Sequence, residues 1–235
     1  MRTPSTGVGL DPRPEELARE YERRFGAKAD YRRRVWGMLT RDVFQRYVPE
    51  DGTVLELGCG WGEFINQIRA RTKFGMDLNP EAGRRLDAEV RFLEQDCSEP
   101  WPVAAGSLDV VFTSNFFEHL PDKGTLGRTL KEALRCLRPG GRLVCLGPNI
   151  RYLPGAYWDF WDHYLPLTDR SLVEGLELAG FAIERSWPRF LPYTMSQDRT
   201  PPLWTLWCYL RLPIAWPIFG RQFLIVARRP ADAAR

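Results

Sequence analysis

Three glycines spaced two apart, Gly58, Gly60 and Gly62, follow the apolar run Val54-Leu-Glu-Leu57 and precede Glu63-Phe64. An apolar run that stops at such a turn reads as a buried strand over residues 53–57, with a helix starting near Glu63. Glycine lets a backbone turn tightly and approach a ligand with no Cβ in the way. Strand, glycine turn and helix together build nucleotide pockets at the carboxyl ends of strands in α/β proteins. Dinucleotide-binding turns read G-x-G-x-x-G and seat a pyrophosphate on the helix N-terminus. Here the third glycine comes one residue early, and Glu56 stands two before the first. A carboxylate at that position repels a pyrophosphate and suits a ligand carrying an ammonium and a sulfonium. S-adenosylmethionine is such a ligand; taken alone, the same residues also fit an ordinary tight turn.

Further polar groups fall at the ends of later apolar runs. A strand over residues 73–76 ends at Asp77-Leu78, seventeen residues past Gly60, and an acidic side chain there can accept from both hydroxyls of a ribose. A strand over 90–94 leads to Asp96-Cys97, where a carboxylate can accept from an adenine amino group. A strand over 108–113 ends at Ser114-Asn115. Four strands that each finish in a polar group place Glu56, Gly58, Gly60, Asp77, Leu78, Asp96, Cys97 and Asn115 at one sheet edge.

With these residues the chain resembles the class I S-adenosylmethionine-dependent methyltransferases over residues 54–189. The glycine turn is similar to that family's first motif, Asp77 to its second, Asp96 to its third, Leu108-Asp-Val-Val-Phe-Thr-Ser-Asn115 to its fourth, and Leu137-Arg-Pro-Gly-Gly-Arg-Leu-Val144 to its turn into strand five. Pro148-Asn149, Tyr157-Trp-Asp-Phe-Trp-Asp-His-Tyr164 and residues 168–181 resemble a bacterial small-molecule subgroup. The resemblance implies a Rossmann-like α/β fold with a mostly parallel seven-stranded sheet, helices on both faces and an antiparallel last strand. It also implies S-adenosylmethionine as cofactor and methyl transfer as reaction, and it leaves the acceptor open.

The elements that must position these groups follow from patterning. Residues 1–14 form a proline- and glycine-bearing tail, and 14–25 and 31–47 read as two helices, so 1–48 is a tail with cap helices and 49–235 the methyltransferase domain. In the family such helices cross the cofactor pocket, which would bring Tyr31, Arg32 and Trp36 to its wall; the alternative is plain packing and a solvated arginine run. Strand and helix then alternate, with helices over 63–71, 80–86 and 123–137 and a strand over 142–146, which implies right-handed crossovers between parallel strands. A helix over 169–179 closes at Gly180. The last strands are expected over 181–185 and 222–227, a hairpin in the family.

Length and composition set limits. A chain of 235 residues fits one domain with a substantial core. A net charge of +3 demands no polyanionic partner, so no nucleic acid is expected. Five cysteines at 59, 97, 136, 145 and 208 are odd in number and lack C-x-x-C spacing, which fits reduced core thiols and a cytoplasmic protein. Residues 1–29 are polar and charged, with no secretory apolar stretch.

Methyl transfer is an in-line displacement with a neutral thioether leaving group, so alignment supplies much of the rate. Only an acceptor that must lose a proton needs a base, and histidine is the usual one at neutral pH. The chain has two histidines. His119, in Phe-Glu-His-Leu-Pro, suits a structural or cofactor-pocket role. His163 lies past strand five, where family acceptor pockets lie; it is either the base, oriented by Asp162 or Asp159, or a cap on the helix near Asp169. By the same resemblance Trp36, Asn149, Tyr157, Trp161 and Tyr164 are acceptor-side residues. The Asn/Asp-Pro-Pro-aromatic signature of nucleobase and amide methyltransferases is missing, the Asp-Asn pair of metal-dependent catechol enzymes is missing, and no His/Cys/Asp cluster has metal-ligand spacing. A metal-free transfer to a hydroxyl oxygen of a metabolite, sugar or lipid-linked glycan is the leading expectation. Carbon or nitrogen acceptors, a catalytically silent cofactor-binding partner protein and a nicotinamide oxidoreductase are the alternatives.

Residues 201–220 are unusual. They hold Trp204, Trp207, Tyr209, Trp216 and Phe219, with Arg211 the only charge, and Leu203, Leu206, Trp207 and Leu210 are expected on one helical face. Pro213 and Pro217 break the stretch, which is too short to span a bilayer. With flanking Arg199 and Arg221 it suits a peripheral membrane element or a cover over a lipid-like acceptor. An ordinary lid or dimer contact is the alternative.

Overall fold

The computed structural model describes residues 28–193 and 200–231. The expected tail at 1–14, the helix at 14–25 and Arg199 lie outside the described residues. Seven strands, β1 Thr53–Leu57, β2 Thr72–Asp77, β3 Val90–Glu94, β4 Leu108–Ser114, β5 Leu137–Pro148, β6 Ala182–Leu191 and β7 Gln222–Arg228, form one sheet in the order β3-β2-β1-β4-β5-β7-β6. Strands β1 to β5 pair in parallel, and β7 runs antiparallel to both β5 and β6. The register sets Leu57 beside Met76 and Thr113, Asp77 beside Glu94, and Ser114 beside Leu146. Parallel pairing therefore brings the ends of β1 to β4 to one edge, and chain order reverses between β1 and β4, where open α/β sheets bind ligands.

Side chains alternate between two cores, as the two-residue period of a strand requires. Leu55, Leu57, Val111, Leu143, Cys145 and Ile225 face α3 (Lys123–Cys136) and α4 (Asp169–Ala179) through Leu130, Ala133, Leu172 and Leu176. Val54, Phe112, Val144, Leu224 and Val226 face α1 (Ala29–Leu39) through Trp36 and Leu39. Phe64 stacks on Phe112 at 3.7 Å there, and Phe44 meets Phe112 edge-on at 4.9 Å. The helix expected over 31–47 is continuous, but its last part widens to a π-helical turn at Thr40–Phe44 and tightens to a 3₁₀ turn at Gln45–Tyr47.

One expected helix is replaced. Residues 63–71 form turns, with Asn66 N–H donating to Gly62 and Ile68 N–H to Phe64, while Ile65 N–H donates to the Glu56 carboxylate at 3.0 Å. Capture of that amide by a buried side chain removes a rung of the helical ladder. The helix expected over 80–86 shortens to α2 (Pro80–Gly83), started by the Asn79 side chain accepting from Glu81 N–H. By contrast α4 has the expected bounds: Thr168 and Ser171 form a reciprocal cap, and Gly180 at φ 104° ends it. All five cysteines are free thiols, four of them buried.

The aromatic stretch folds as α5 (Leu203–Arg211), a 3₁₀ turn at Pro213–Ala215 and α6 (Trp216–Phe219). Its inward face differs from expectation. Leu206, Tyr209, Leu210 and Trp216 pack on the core, whereas Trp207 turns outward. Tyr209 O–H donates to the Phe190 carbonyl at 2.6 Å, and this bond belongs to the rotation that carries Tyr209 inward.

Candidate active site

A cleft of about 1720 Å³ opens at the carboxyl edge of β1 to β4. Its floor is the glycine turn. Gly58 has φ 63°, and a Cβ there would sit 2.2 Å from the Phe116 ring, so only glycine fits. Gly60 N–H donates to one oxygen of Asp77 at 2.9 Å, and Asn79 N–H donates to the other at 2.9 Å. Two backbone amides thus aim the Asp77 carboxylate along the cleft wall, although its burial holds the carboxyl above the usual carboxylate range. Glu56 is buried beside it, and that burial, reinforced by Glu63 and Asp77, pushes its carboxyl well up. Arg32 of α1 pairs with Glu63 at 2.5 Å and draws off part of this negative charge.

The other expected cofactor residues also line the cleft: Leu78, Asp96, Cys97, Asn115 and His119. Asp96 accepts from Ser98 N–H at 2.7 Å. Burial raises the Cys97 thiol to about 11, so it stays protonated and is no nucleophile. Asn115 is the only non-glycine residue with positive φ, 47°, among those described, and its Oδ1 is buried with no hydrogen-bond partner. Backbone strain and an orphaned acceptor in a cleft wall are features that a ligand donor relieves. Together with the buried carboxylates they fit an adenosyl ligand that carries an ammonium.

On the opposite wall, Tyr31, Arg32 and Trp36 from α1 meet Pro201, Thr205, Leu206, Tyr209 and Phe219 from the aromatic segment. Tyr31 O–H donates to the Pro201 carbonyl at 2.8 Å and ties the two together. Between these walls stand the two histidines, T-shaped with ring centroids 4.9 Å apart. His163 Nδ1 lies 2.7 Å from the Tyr157 carbonyl, which can only accept, so Nδ1 carries a proton and the neutral ring has its lone pair on Nε2. His163 does not cap α4, because Thr168 does.

Asp162, expected beside His163, engages the second histidine ring as well. Asp162 meets His119, whose Nδ1 lies 2.9 Å from its carbonyl and 3.3 Å from its carboxylate. Burial opposes the imidazolium, but Asp162 and Glu118 outweigh it and raise the His119 pKa. A raised histidine value stabilises the fold below its unfolded value of 6.5, and that contribution is lost as pH climbs through the folded value. His119→Gln should therefore lower the melting temperature most below pH 6.5 and progressively less as pH rises through the folded value. A deficit that does not change with pH would remove the ion pair from this account.

Of the expected acceptor-side residues, Trp36, Tyr157 and Tyr164 line the cleft. Asn149 and Trp161 are not brought there. Asn149 is fully buried, donating to Asp169 at 2.8 Å and to the Pro188 carbonyl at 3.0 Å, so it joins loop to α4 and β6. Trp161 is 71 % exposed. Glu118 and its short hydrogen bond from Tyr157 were not foreseen; the two are 39 residues apart. Nor was the grouping of His119, Asp162 and His163, whose ligand atoms lie within 4.8 Å of one another. The expectation that no His/Asp cluster has metal-ligand spacing holds along the chain and fails in space.

Fold and site together define a Rossmann-like class I methyltransferase that uses S-adenosylmethionine. The chain belongs to that family: the family described as "Methyltransferase domain" matches residues 13–186. It is 27 % identical over 207 residues to the 2-methyl-6-phytyl-1,4-hydroquinone methyltransferase of Synechocystis, covering 77 % of this chain and 62 % of that one. It is 26 % identical over 149 residues to the demethylmenaquinone methyltransferase of Symbiobacterium thermophilum, covering 56 % and 58 %. The chain thus spans about three fifths of the length of these relatives. A putative methyltransferase of Haloferax volcanii, solved with the Trm112 activator, superposes with TM-score 0.69 at 20 % identity, over 94 % of this chain and all of that one. A possible histamine N-methyltransferase of Thermotoga maritima superposes with TM-score 0.66 at 18 % identity, over 92 % and 97 %. Likeness at such identities establishes fold.

Proposed function

We propose that the protein methylates a hydroxyl oxygen of a small molecule seated between α1, α5 and the His163 loop, with His163 as general base. The observation that carries this reading is the His163 ring in the cleft wall, held there through Nδ1 on the Tyr157 carbonyl. The bound cofactor supplies an electrophilic methyl on sulfur and leaves as a neutral thioether. Asp77 holds the ribose, Glu56 and Asn115 meet the amino-acid part, and Leu78, Asp96 and Cys97 border the base. His163 Nε2 takes the hydroxyl proton, while the Asp162 carboxylate offsets the charge of the neighbouring His119. Trp36, Tyr157 and Tyr164 pack on the acceptor and keep water from the sulfonium.

The cleft exceeds the roughly 300–1,000 Å³ of an ordinary ligand pocket, which leaves room for a bulky acceptor beside the cofactor. Two relatives are named for a phytyl hydroquinone and a demethylmenaquinone, which supports an aromatic acceptor. An ionised hydroquinone is nucleophilic at ring carbon as well as oxygen, so carbon methylation is the second reading, and His163 would serve it equally. Incubating purified protein with labelled S-adenosylmethionine and a panel of phenols, hydroquinones, sugars and lipid-linked glycans tests both. An O-methyl product is expected, a C-methyl product selects the second reading, and an N-methyl product overturns both. Turnover is expected to survive dialysis against a chelator. Loss that added divalent cation restores would replace the base with a metal on His119, Asp162 and His163.

Glu56 gives a separate expectation. A carboxyl raised in the folded state costs stability as pH rises from its ordinary value near 4.5 through the folded one. Glu56→Gln keeps an acceptor for Ile65 N–H and removes the charge. The cofactor-free variant should melt higher at neutral pH yet bind the cofactor at least about 10-fold more weakly, one charge-assisted hydrogen bond being worth about 1.5–3 kcal/mol. Unchanged affinity would detach Glu56 from the ligand ammonium.

A further inference from the structure

Six of the ten exposed large hydrophobic side chains of the described residues come from one short segment: Trp204, Trp207, Leu212, Ile214, Ile218 and Phe219. On α5, Trp204, Trp207 and Arg211 follow i, i+3, i+7 spacing and share one helical face. The opposite face, Leu206, Tyr209 and Leu210, packs on the core. The segment is therefore already seated, and what it leaves outside is apolar: Trp204 is 67 % exposed and Ile214 80 %. Its shape is held by polar bonds, Trp216 Nε1 donating to the Tyr209 carbonyl at 3.1 Å and Arg189 Nε to the Gly220 carbonyl at 2.9 Å. A contiguous apolar patch of this kind marks an interaction surface.

We propose that this face docks the protein on an anionic lipid surface, with the cleft mouth turned towards the bilayer. Charge selects the occupant. Between Thr200 and Arg221 there is no acidic residue, and the basic ones, Arg211 and Arg221, are exposed at the patch edge. Arg211 lies over the Trp207 ring at 4.0 Å with its guanidinium 3.5 Å from the Asp42 carboxylate, an apolar body with a polar tip, which is the form interfacial side chains take. On the adjoining helix α1, tied on through Tyr31 and Pro201, Arg33 and Arg34 are also exposed. No helix among the described residues is long and apolar enough to cross a membrane, so the segment lies in the interface.

The patch continues into the cleft. Pro201, Thr205, Leu206, Tyr209 and Phe219 line the cleft wall, and Phe219 is also 60 % exposed on the docking face. An acceptor with a hydrocarbon chain can then pass from lipid to the His163 side of the site without crossing water. This last step rests on the methyltransferase reading; the docking does not.

Co-sedimentation with sucrose-loaded vesicles tests it, using phosphatidylcholine alone and phosphatidylcholine with phosphatidylglycerol. The parent protein should partition onto the anionic vesicles and lose binding as salt rises, because surface charge is screened over about 10 Å at 0.1 M. Trp204→Ser with Trp207→Ser, and separately Ile214→Ser with Ile218→Ser, should each weaken partition at least about tenfold by removing buried apolar area. S-adenosylhomocysteine affinity should stay at the parent value, which shows that both variants fold. No binding of the parent to anionic vesicles overturns the proposal, as does equal binding by the double variants. A dimer in sedimentation velocity that these substitutions dissolve, without vesicle binding, assigns the face to a second copy instead. Failure here with turnover of a water-soluble acceptor intact leaves the catalytic reading standing.

Discussion

Replacing Asp77 by alanine is expected to remove most cofactor affinity. The carboxylate ends β2 at the cleft edge, and each oxygen accepts one backbone amide, from Gly60 and Asn79. A carboxylate oxygen has a second lone pair, so both oxygens can still accept from the two ribose hydroxyls. Two charge-assisted bonds of about 1.5–3 kcal/mol each correspond to a loss of about 10²-fold or more. The alanine variant also frees the Gly60 amide and loosens the turn. Asp77→Asn retains one acceptor and should lose less. Calorimetric titration with S-adenosylhomocysteine measures both, and an alanine variant within about threefold of the parent, a gap of under 1 kcal/mol, would sink the assignment.

His163→Ala should lower turnover by about 10²-fold or more, the usual contribution of a positioned base, with cofactor affinity unchanged. The ring touches the acceptor side of the cleft, not the glycine turn. Its loss should cost little stability, since Thr168 and Ser171 cap α4 without it. His163→Gln, which holds the shape but accepts no proton, should be equally slow. Turnover preserved in either variant would exclude a base at this position, and a melting temperature that falls in step with activity would return His163 to a structural role.

What was legible in the sequence and what was not divides by distance along the chain. Asp77, Asp96 and Asn115 were legible because each ends an apolar run, and parallel strands of like length bring such ends together. The Gly180 stop was legible for the same reason, since a cap acts within a turn of helix. The acceptor side was less so. Tyr157 and Tyr164 reach the cleft, yet their neighbour Trp161 points to solvent and Asn149 is spent on Asp169 and the Pro188 carbonyl. Irregular chain has no period from which to read the direction of a side chain.

By itself, then, the sequence determined the α/β order and the sheet edge at which the cleft opens, because glycine spacing and strand periodicity are local properties of the backbone. The tertiary structure decided three things that depend on groups far apart in the chain. It turned the segment after Gly62 away from a helix, by setting the Glu56 carboxylate against Ile65 N–H. It set Asp162 against His119, 43 residues away, and His163 Nδ1 against the Tyr157 carbonyl. It also rotated α5 so that Tyr209 faces Phe190 and Trp207 faces outward. A helix with apolar residues all round has no preferred face of its own, and the sheet it packs against chooses one.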